Sequence, residues 1–494
     1  MNHESLEQAK PGFTFEPVDI IKELDKIIES NPKTELEFMI SLRNTYKKLR
    51  DAHTQLIPSC YVDPTNIDCE VTSIDSVPAF DAIKNFANNH SFISRDLGVR
   101  LNNALTSISL VDGKPWILGS EFTVRVDFPE TDSITYTLNC PNEKVKNVTR
   151  EWFVTFLAFK EGKKSFYQDV CLSSGNERTK YKESHDIKRL EILPYIYHPK
   201  LKDVLSNRIS ESSATLSKAI LVHDAIDVKF YKSIGSDFGI VVLIDEVANF
   251  EETLAGFKKL ADDSSIKKFI NSIILPSNSF NHTLFPDDMN VESDIMKKFI
   301  TSSFKSKENP FSAFINFETG NPFNSSEEFI GSKKYERGGS QSSYSTKFTL
   351  RKLPKQIDLP WDTKNMIILS NGASGSSATL ISQCLQEVGQ VPTVSVGGFA
   401  NQTLSFASFP GGLVFDSSSI FGILTEFGIS DLPALDSHYA FFDLTFTFGE
   451  AYSFKNPDTV LEFDFRPADH RLFYDENNIR DPSLLWVEAA NLIN

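Results

Sequence analysis

The chain has 494 residues, enough for about three domains at roughly 150 residues each. Apolar residues make up 40% and charged residues 23%, the balance of a globular protein, which excludes a disordered tail or a coiled coil. Acidic residues outnumber basic ones 66 to 50, so the formal net charge is -16, and the short runs Lys47-Lys48-Leu49-Arg50 and Lys160 to Lys164 read as solvated faces, not as a nucleic-acid footprint.

Taken in order, residues 18–29 place Ile20, Ile21, Leu24, Ile27 and Ile28 on one face of a helix. Asn31-Pro32 interrupts it, and a second helix is predicted from Thr34 to about Asp51 on Leu36, Met39, Ile40, Leu42, Tyr46 and Leu49. Together these define a helical N-terminal segment over 15–60. From 61 to 180 the pattern changes to short alternating strands, at Val71 to Asp75, Ser107 to Leu110 and most clearly Asp132 to Leu138, which predicts a small β-rich module. From 218 to 490 the pattern is α/β. Phe238 to Ile244 has the length of a buried strand, and a helix follows from Phe250 to Leu260. Residues 303–346 are rich in Ser, Asn, Gly and charge, and are predicted to form a long surface excursion. Asn365 to Leu369 is strand-like and runs into Asn371-Gly372-Ala373-Ser374-Gly375-Ser376-Ser377. A helix then carries Leu380, Ile381, Cys384, Leu385 and Val388, with Gly389 as its C-cap. No internal repeat is visible.

The longest apolar run, Phe238 to Ile244, falls well short of the roughly 18 residues a membrane span needs. Met1 to Ser5 is polar and acidic where a signal peptide would carry basic and then apolar residues, so the chain as written is expected in the cytoplasm, or outside the cell if a further segment precedes it. The five cysteines, Cys60, Cys69, Cys140, Cys171 and Cys384, are too scattered for a disulfide framework or a CxxC metal site, and no metal or cofactor is expected. Five Asn-x-Ser/Thr sequons, at Asn89, Asn147, Asn281, Asn324 and Asn401, are about what an Asn-rich chain contains by chance.

Chemistry is most readily placed at 371–377. A Gly/Ser turn between a buried strand and a helix gathers side chains and free N–H groups at one point, and the partial positive charge of the helix N-terminus favours an oxyanion there. The same residues also serve as a plain turn with Ser N-caps. They fit neither G-x-S-x-G nor G-x-x-x-x-G-K-[ST]. A nucleophilic serine needs a base. No Lys or Arg occurs between Ser376 and Lys455, which removes a lysine base just downstream and leaves the nine histidines. His53, His223, His438 and His470 are the serious choices, and composition does not choose among them.

Several short blocks, in order, carry a resemblance. Asp51-Ala52-His53-Thr54 resembles the Asp-x-His motif of the tail-specific (C-terminal-processing) serine protease superfamily, in particular fungal relatives of chlamydial protease-like activity factor. Pro360-Trp361-Asp362 to Ser370, with the turn after it, is similar to the family's strand and nucleophile turn, with the nucleophile on Ser376. Val396-Gly397-Gly398 and Pro410-Gly411-Gly412 resemble the segment after the nucleophile helix, and Leu461 to Asp469 resembles the block that supplies the triad's acid, on Glu462. The similarity spans about residues 35–490. It implies a crotonase/ClpP-like α/β catalytic core, a PDZ-like β module at 61–180 with a turn at Gly113-Lys114-Pro115, and a Ser376–His53–Glu462 triad whose oxyanion donor is the backbone N–H of Ser377. Asp464 and Asp469 are alternative acids. One block departs from the family. Where relatives carry a glycine run, this chain reads Asn271-Ser272-Ile273-Ile274-Leu275-Pro276-Ser277-Asn278. The expected function is a serine endopeptidase acting on protein or peptide substrates. The alternative is a catalytically impaired homologue that binds peptides through its PDZ-like module. A carbohydrate-active enzyme with paired carboxylates ranks below both, because no carboxylate spacing singles itself out.

Overall fold

The computed structural model describes, with short gaps, residues 18–49, 70–152, 216–243, 250–273, 287–350, 360–408, 414–416, 424–425, 445–461 and 465–493. Near the N-terminus α1 (Ile20–Ser30) packs on α2 (Glu35–Lys47), through Ile20, Leu24, Leu42, Tyr46 and Leu49. Of the face that the spacing predicts on α1, Ile20, Leu24 and Ile27 are turned inward, while Ile28 is 75% exposed. The next unit begins with β1 (Glu70–Ile74), β2 (Val77–Pro78), α3 (Ala79–Asn89) and α4 (Leu97–Ala104). It continues with the hairpin of β3 (Ser107–Val111) and β4 (Lys114–Leu118), then β5 (Ser133–Asn139) and β6 (Lys146–Glu151). Its four-stranded sheet runs in the order β2-β1-β5-β6, and Ile74, Phe86, Leu101, Ala104, Phe122 and Ile134 form its core. The three alternating segments are strands, as the pattern predicts. The two helices were not anticipated in a stretch read as β-rich, and both bear on the site below.

A seven-stranded sheet forms the centre of the molecule. It uses β7 (Ala219–Asp224), β8 (Val228–Ser233), β9 (Phe238–Leu243), β10 (Lys268–Ile273), β16 (Met366–Ser370), β17 (Thr393–Val396) and β21 (His470–Leu472), in the order β21-β17-β16-β10-β9-β8-β7. The strands from β9 to β21 pair in parallel, and β8 and β7 add antiparallel strands at one edge. Parallel strands covered on both faces read as continuous apolar runs, which is why Phe238 to Leu243 shows no polar alternation. The two faces still separate with a period of two. Phe238, Ile240, Val242, Ile270, Ile367 and Leu369 face one layer, where α9 (Pro482–Ala490) brings Leu485 and Trp486. Val241, Phe269, Met366 and Ile368 face the other, which takes Leu260 of α5 (Phe250–Ala261) and Ala378 of α8 (Ser376–Glu387). The result is a mixed α/β fold in three layers.

The chain from β10 to its neighbour β16 takes a long detour, through β11 (Asp287–Met289), α6 (Asp294–Lys305), β12 (Phe314–Asn316), α7 (Ser326–Ile330), the hairpin of β13 (Lys334–Arg337) and β14 (Ser340–Ser343), and β15 (Phe348–Leu350). Residues 303–346 therefore hold regular elements and a core of their own, in place of the expected surface excursion. Phe299, Phe311, Phe314, Phe329 and Phe348 pack together there, with the Phe314 and Phe348 rings stacked 4.3 Å apart. Further along, β18 (Val414–Asp416) pairs with β19 (Thr445–Thr447), and β20 (Gly449–Ala451) completes the detour's sheet in the order β12-β15-β11-β20. No helix among the described residues is long and apolar enough to cross a membrane.

Candidate active site

The carboxyl ends of the parallel strands are where an open α/β sheet presents its crevice, and β16 ends there. All five of its residues are buried, and it delivers the chain into the turn Asn371 to Gly375 and then into α8. That turn is fixed by its own polar groups. The Gly372 N–H donates to Ser370 Oγ at 3.0 Å, and the Ala373 N–H to Asn371 Oδ1 at 3.0 Å. The Ser374 carbonyl accepts from the Ser408 N–H at 2.7 Å and from Thr379 Oγ1 at 2.9 Å.

The serines of this turn have different duties. Ser374 is fully buried, with its hydroxyl between Phe406 O at 3.4 Å and Ser370 Oγ at 3.5 Å, which is a packing role. Ser376 opens α8 with φ at +54°, a left-handed conformation costing a non-glycine residue roughly 1–2 kcal/mol. It is 8% exposed, and no side chain among the described residues hydrogen-bonds its hydroxyl. Gly375 precedes it at the N-cap and offers no side chain to the helix end. The Ser377 N–H lies in that first turn, where a helix start leaves N–H groups without an intrahelical partner. Backbone strain of this kind collects at functional sites.

A second element reaches the turn from the preceding unit. Asp96, Val99 and Asn102 are three apart, hence on one face of α4, and all three grip the loops around Ser376. Asp96 caps α4, accepting from the Gly98 N–H at 2.7 Å, while its other oxygen accepts from the Ser405 N–H at 2.8 Å. Burial lifts this carboxyl above the usual aspartate range, against the pull of those N–H groups and of Arg100. Val99 sits so close to Gly372 that a Cβ there would meet Val99 Cγ2 at 2.5 Å and Ser405 O at 2.7 Å, and Gly372 itself has φ +83°. Asn102 Nδ2 donates to Asn371 O at 2.7 Å and to Val396 O at 2.9 Å, and its Oδ1 accepts from the Gly398 N–H at 2.7 Å. Arg100 ties α4 back to Ala87 O and Ser94 O at 2.9 and 2.8 Å. Sequence reasoning missed this helix. The available signal was Asp96 as an N-cap ahead of Leu97, Leu101 and Ala104.

Of the sequence-predicted site residues, Ser376 is placed at the turn and Ser377 in the first turn of α8. His53, Glu462 and the alternatives His438 and Asp464 lie outside the described residues. His223 belongs to β7, four strand positions from β16 or about 19 Å at roughly 4.8 Å per step. Its ring nitrogens contact Glu252 O and Lys259 Nζ, both at 2.9 Å, so it does not serve Ser376. His470 is on β21, two positions away. Asp469 is occupied structurally. Its Oδ2 accepts from the Thr393 N–H and hydroxyl at 2.9 and 2.8 Å, which clips β21 to β17.

The rest of the C-terminal block meets α8. Leu461 packs on Leu380, one turn beyond Ser376. Arg466 pairs with Glu387 at the far end of α8, whose carboxylate also takes the Ser453 hydroxyl and the Phe454 N–H at 2.7 Å. The helix stops at Glu387, and Gly389 is not its left-handed cap. That conformation falls on Gln390, at φ +54°, while Gly389 is required by a close approach, since a Cβ there would lie 2.7 Å from Leu385 O. Among the described residues no group of three or more His, Cys, Asp or Glu side chains could hold a metal.

No family model matches the chain, and no curated protein matches it in sequence. Solved structures do match in fold. Mature CPAF, the chlamydial protease-like activity factor, superposes with a TM-score of 0.51 at 12% identity, over 96% of this chain and 90% of that one. Mature CPAF complexed with lactacystin gives 0.53 at 12% identity, over 96% and 92%. At this identity the likeness is one of fold, and it extends over nearly the whole of both chains.

Proposed function

We propose that the protein is a serine endopeptidase with Ser376 as its nucleophile. The observation that carries this reading is Ser376 itself: a left-handed, half-strained serine at the junction of a buried parallel strand and a helix N-terminus, in a chain that shares the fold of mature CPAF. In this reading the core is crotonase/ClpP-like and the unit of β1, β2, β5 and β6 with α3 and α4 is a PDZ-like module. His53 takes the hydroxyl proton as Ser376 Oγ attacks the scissile carbonyl, and passes it to the leaving amine. Glu462 holds the imidazole in the right tautomer and stabilises its charged form. The packing of Leu461 on Leu380 supports this acid, because it starts the block beside the first turns of α8. The Ser377 N–H, at the positive end of the helix, donates to the oxyanion. The reaction consumes a peptide bond and water, with protein or peptide as substrate.

A fluorophosphonate probe tests the nucleophile. Labelling of wild type and its loss in Ser376→Ala is the expected result. Folded protein that is neither labelled nor able to cleave casein would sink the reading. Lactacystin, with which mature CPAF forms a complex, serves as a competitor for the probe.

The glycine-free continuation of β10 supports a second reading, a peptide-binding homologue whose catalysis is impaired, since losing one oxyanion donor costs about 10²–10³ in rate. In that case peptides bind equally to wild type and to Ser376→Ala, and the probe labels neither. We further place the protein in an oxidising compartment, because Cys140 is disulfide-bonded. Intact mass with and without reductant, on protein recovered from the native source, checks this. A fully reduced Cys140 would refute it.

A further inference from the structure

The side chain of Asn102 bridges two separate stretches of the core. Its amide has two N–H donors and one carbonyl acceptor, and the three bonds use Asn371 O, Val396 O and the Gly398 N–H. Asn371 opens the turn that leads to Ser376. Val396 and Gly398 form the exit from β17, the next strand in the sheet. The approach is so close that a Cβ on Gly397 would stand 2.3 Å from Asn102 Oδ1, and Gly397 and Gly398 adopt φ +86° and +66°. Arg471 supports the same exit from the other side, donating to Gly397 O and, at 2.6 Å, to Gln402 O.

Asn102 is also distinct from its neighbour. The Asn103 amide donates to Glu121 Oε2 at 2.6 Å, a contact within its own unit. All three Asn102 bonds instead end on backbone groups outside that unit. Both carbonyls it holds belong to segments that leave the carboxyl ends of adjacent parallel strands, on either side of the path into α8.

We infer that Asn102 is a positioning residue for Ser376, fixing the separation and orientation of the nucleophile turn and the β17 exit so that the hydroxyl is presented at the correct angle. This rests on the peptidase reading above. Asn102 touches neither the hydroxyl nor, in this proposal, the substrate. It acts through the Asn371 carbonyl, whose residue also closes the turn by accepting from the Ala373 N–H.

The test compares Asn102→Ala, Asn102→Asp and Asn103→Ala in the full chain. It reads the second-order rate of fluorophosphonate labelling, kcat and KM on a peptide substrate, and hydrogen exchange at the Gly398 amide. Asn102→Ala is expected to slow labelling and kcat about 10- to 100-fold, as a displacement near 1 Å does, with KM within about twofold. Asn102→Asp is expected to lose more, because it turns a carboxylate oxygen toward two carbonyls. Asn103→Ala keeps the wild-type labelling rate, and Gly398 exchange accelerates in Asn102→Ala, which removes its acceptor, but not in Asn103→Ala. Should Asn102→Ala not fold, Asn102→Ser keeps a single donor and is expected to label at an intermediate rate. Folded Asn102 variants that label as fast as wild type, or that lose rate only in step with Asn103→Ala, would overturn the inference. Wild type that does not label overturns the peptidase reading instead, and with it any catalytic meaning for Asn102.

Discussion

Asp288 sits on β11 with no exposed surface, and Tyr452 stands between it and a second buried carboxyl, Glu450. The Tyr452 hydroxyl is 3.1 Å from Asp288 Oδ2 and 2.9 Å from Glu450 Oε2. A phenol has one proton, so it satisfies both oxygens only when one carboxyl carries a proton of its own. Burial pushes Asp288 up from 3.8 to about 6. Glu450 reinforces that, while Tyr335, Lys347 and Tyr452 oppose it. Lys347 also lies over the Tyr452 ring at 4.0 Å and pairs with Asp458 at 3.4 Å.

Below 3.8 both folded and unfolded chains hold the Asp288 proton. As pH rises toward about 6, the unfolded chain has released it and the folded one has not, so stability falls, and above that the loss is complete. At about 1.36 kcal/mol per tenfold change the descent amounts to about 3 kcal/mol. Asp288→Asn keeps the shape without the titration. It should match wild type near pH 4 and be more stable by about 3 kcal/mol near pH 7.5. Urea unfolding at the two pH values, with hydrogen exchange at β11 and β20 as the local reporter, measures the difference. An Asp288→Asn effect of equal size at both pH values would refute the reasoning, for it would mean that the carboxyl is ionised throughout.

Gly372→Ala combines a left-handed backbone with contacts of 2.5 and 2.7 Å, and should cost roughly 2–4 kcal/mol while slowing the probe reaction of Ser376. Thermal unfolding and labelling rate read the two effects. Glu387→Ala removes the acceptor shared by Arg466, Ser453 and Phe454, and should cost about 3–5 kcal/mol. Arg466→Ala leaves the carboxylate its other donors and should cost about 1.5–3 kcal/mol, so the order of the two urea midpoints is the check. Cys384 is free, and burial, helped by Glu387, raises its thiol above the usual range. It should alkylate slowly at neutral pH, and Cys384→Ser should leave fluorophosphonate labelling intact.

Much of the architecture was legible because it depends on local periodicity. The helix faces at 20–30, the buried strand at 238–243 and the alternation at 133–139 each state their environment in the residues themselves. The phenylalanine core of the detour was hidden because Phe299, Phe311, Phe314, Phe329 and Phe348 follow neither a helical nor a strand period and are separated by Ser, Asn and Gly. The turn at 371–377 could be found from its Gly and Ser content, and Ser376 was singled out within it by resemblance. What could not be read was the support around it. Asn102 to Asn371 spans 269 positions, and no sequence window contains both ends of such a contact. The contact between Asp469 and Thr393 is hidden for the same reason. Beside Glu462 in sequence Asp469 looks like a spare acid, but Thr393, 76 positions earlier, has claimed its carboxylate.

The detour between β10 and β16 has a consequence for how the protein is made. β10 can pair with β9 at once but cannot meet its other neighbour, β16, until residue 370 has been synthesised, the detour's own sheet waits for β20 at 449–451, and one face of the central sheet stays open until α9 arrives at 482–490. At about 5–20 residues per second, the ribosome needs on the order of 10–40 s to get from β10 to α9. During that interval the apolar strands β8 and β9 are complete but uncovered on the α9 side. The nascent chain is thus a natural client for chaperones, and a stop codon at Pro482, which removes α9, should yield insoluble protein even though every residue of the proposed catalytic triad has already been translated.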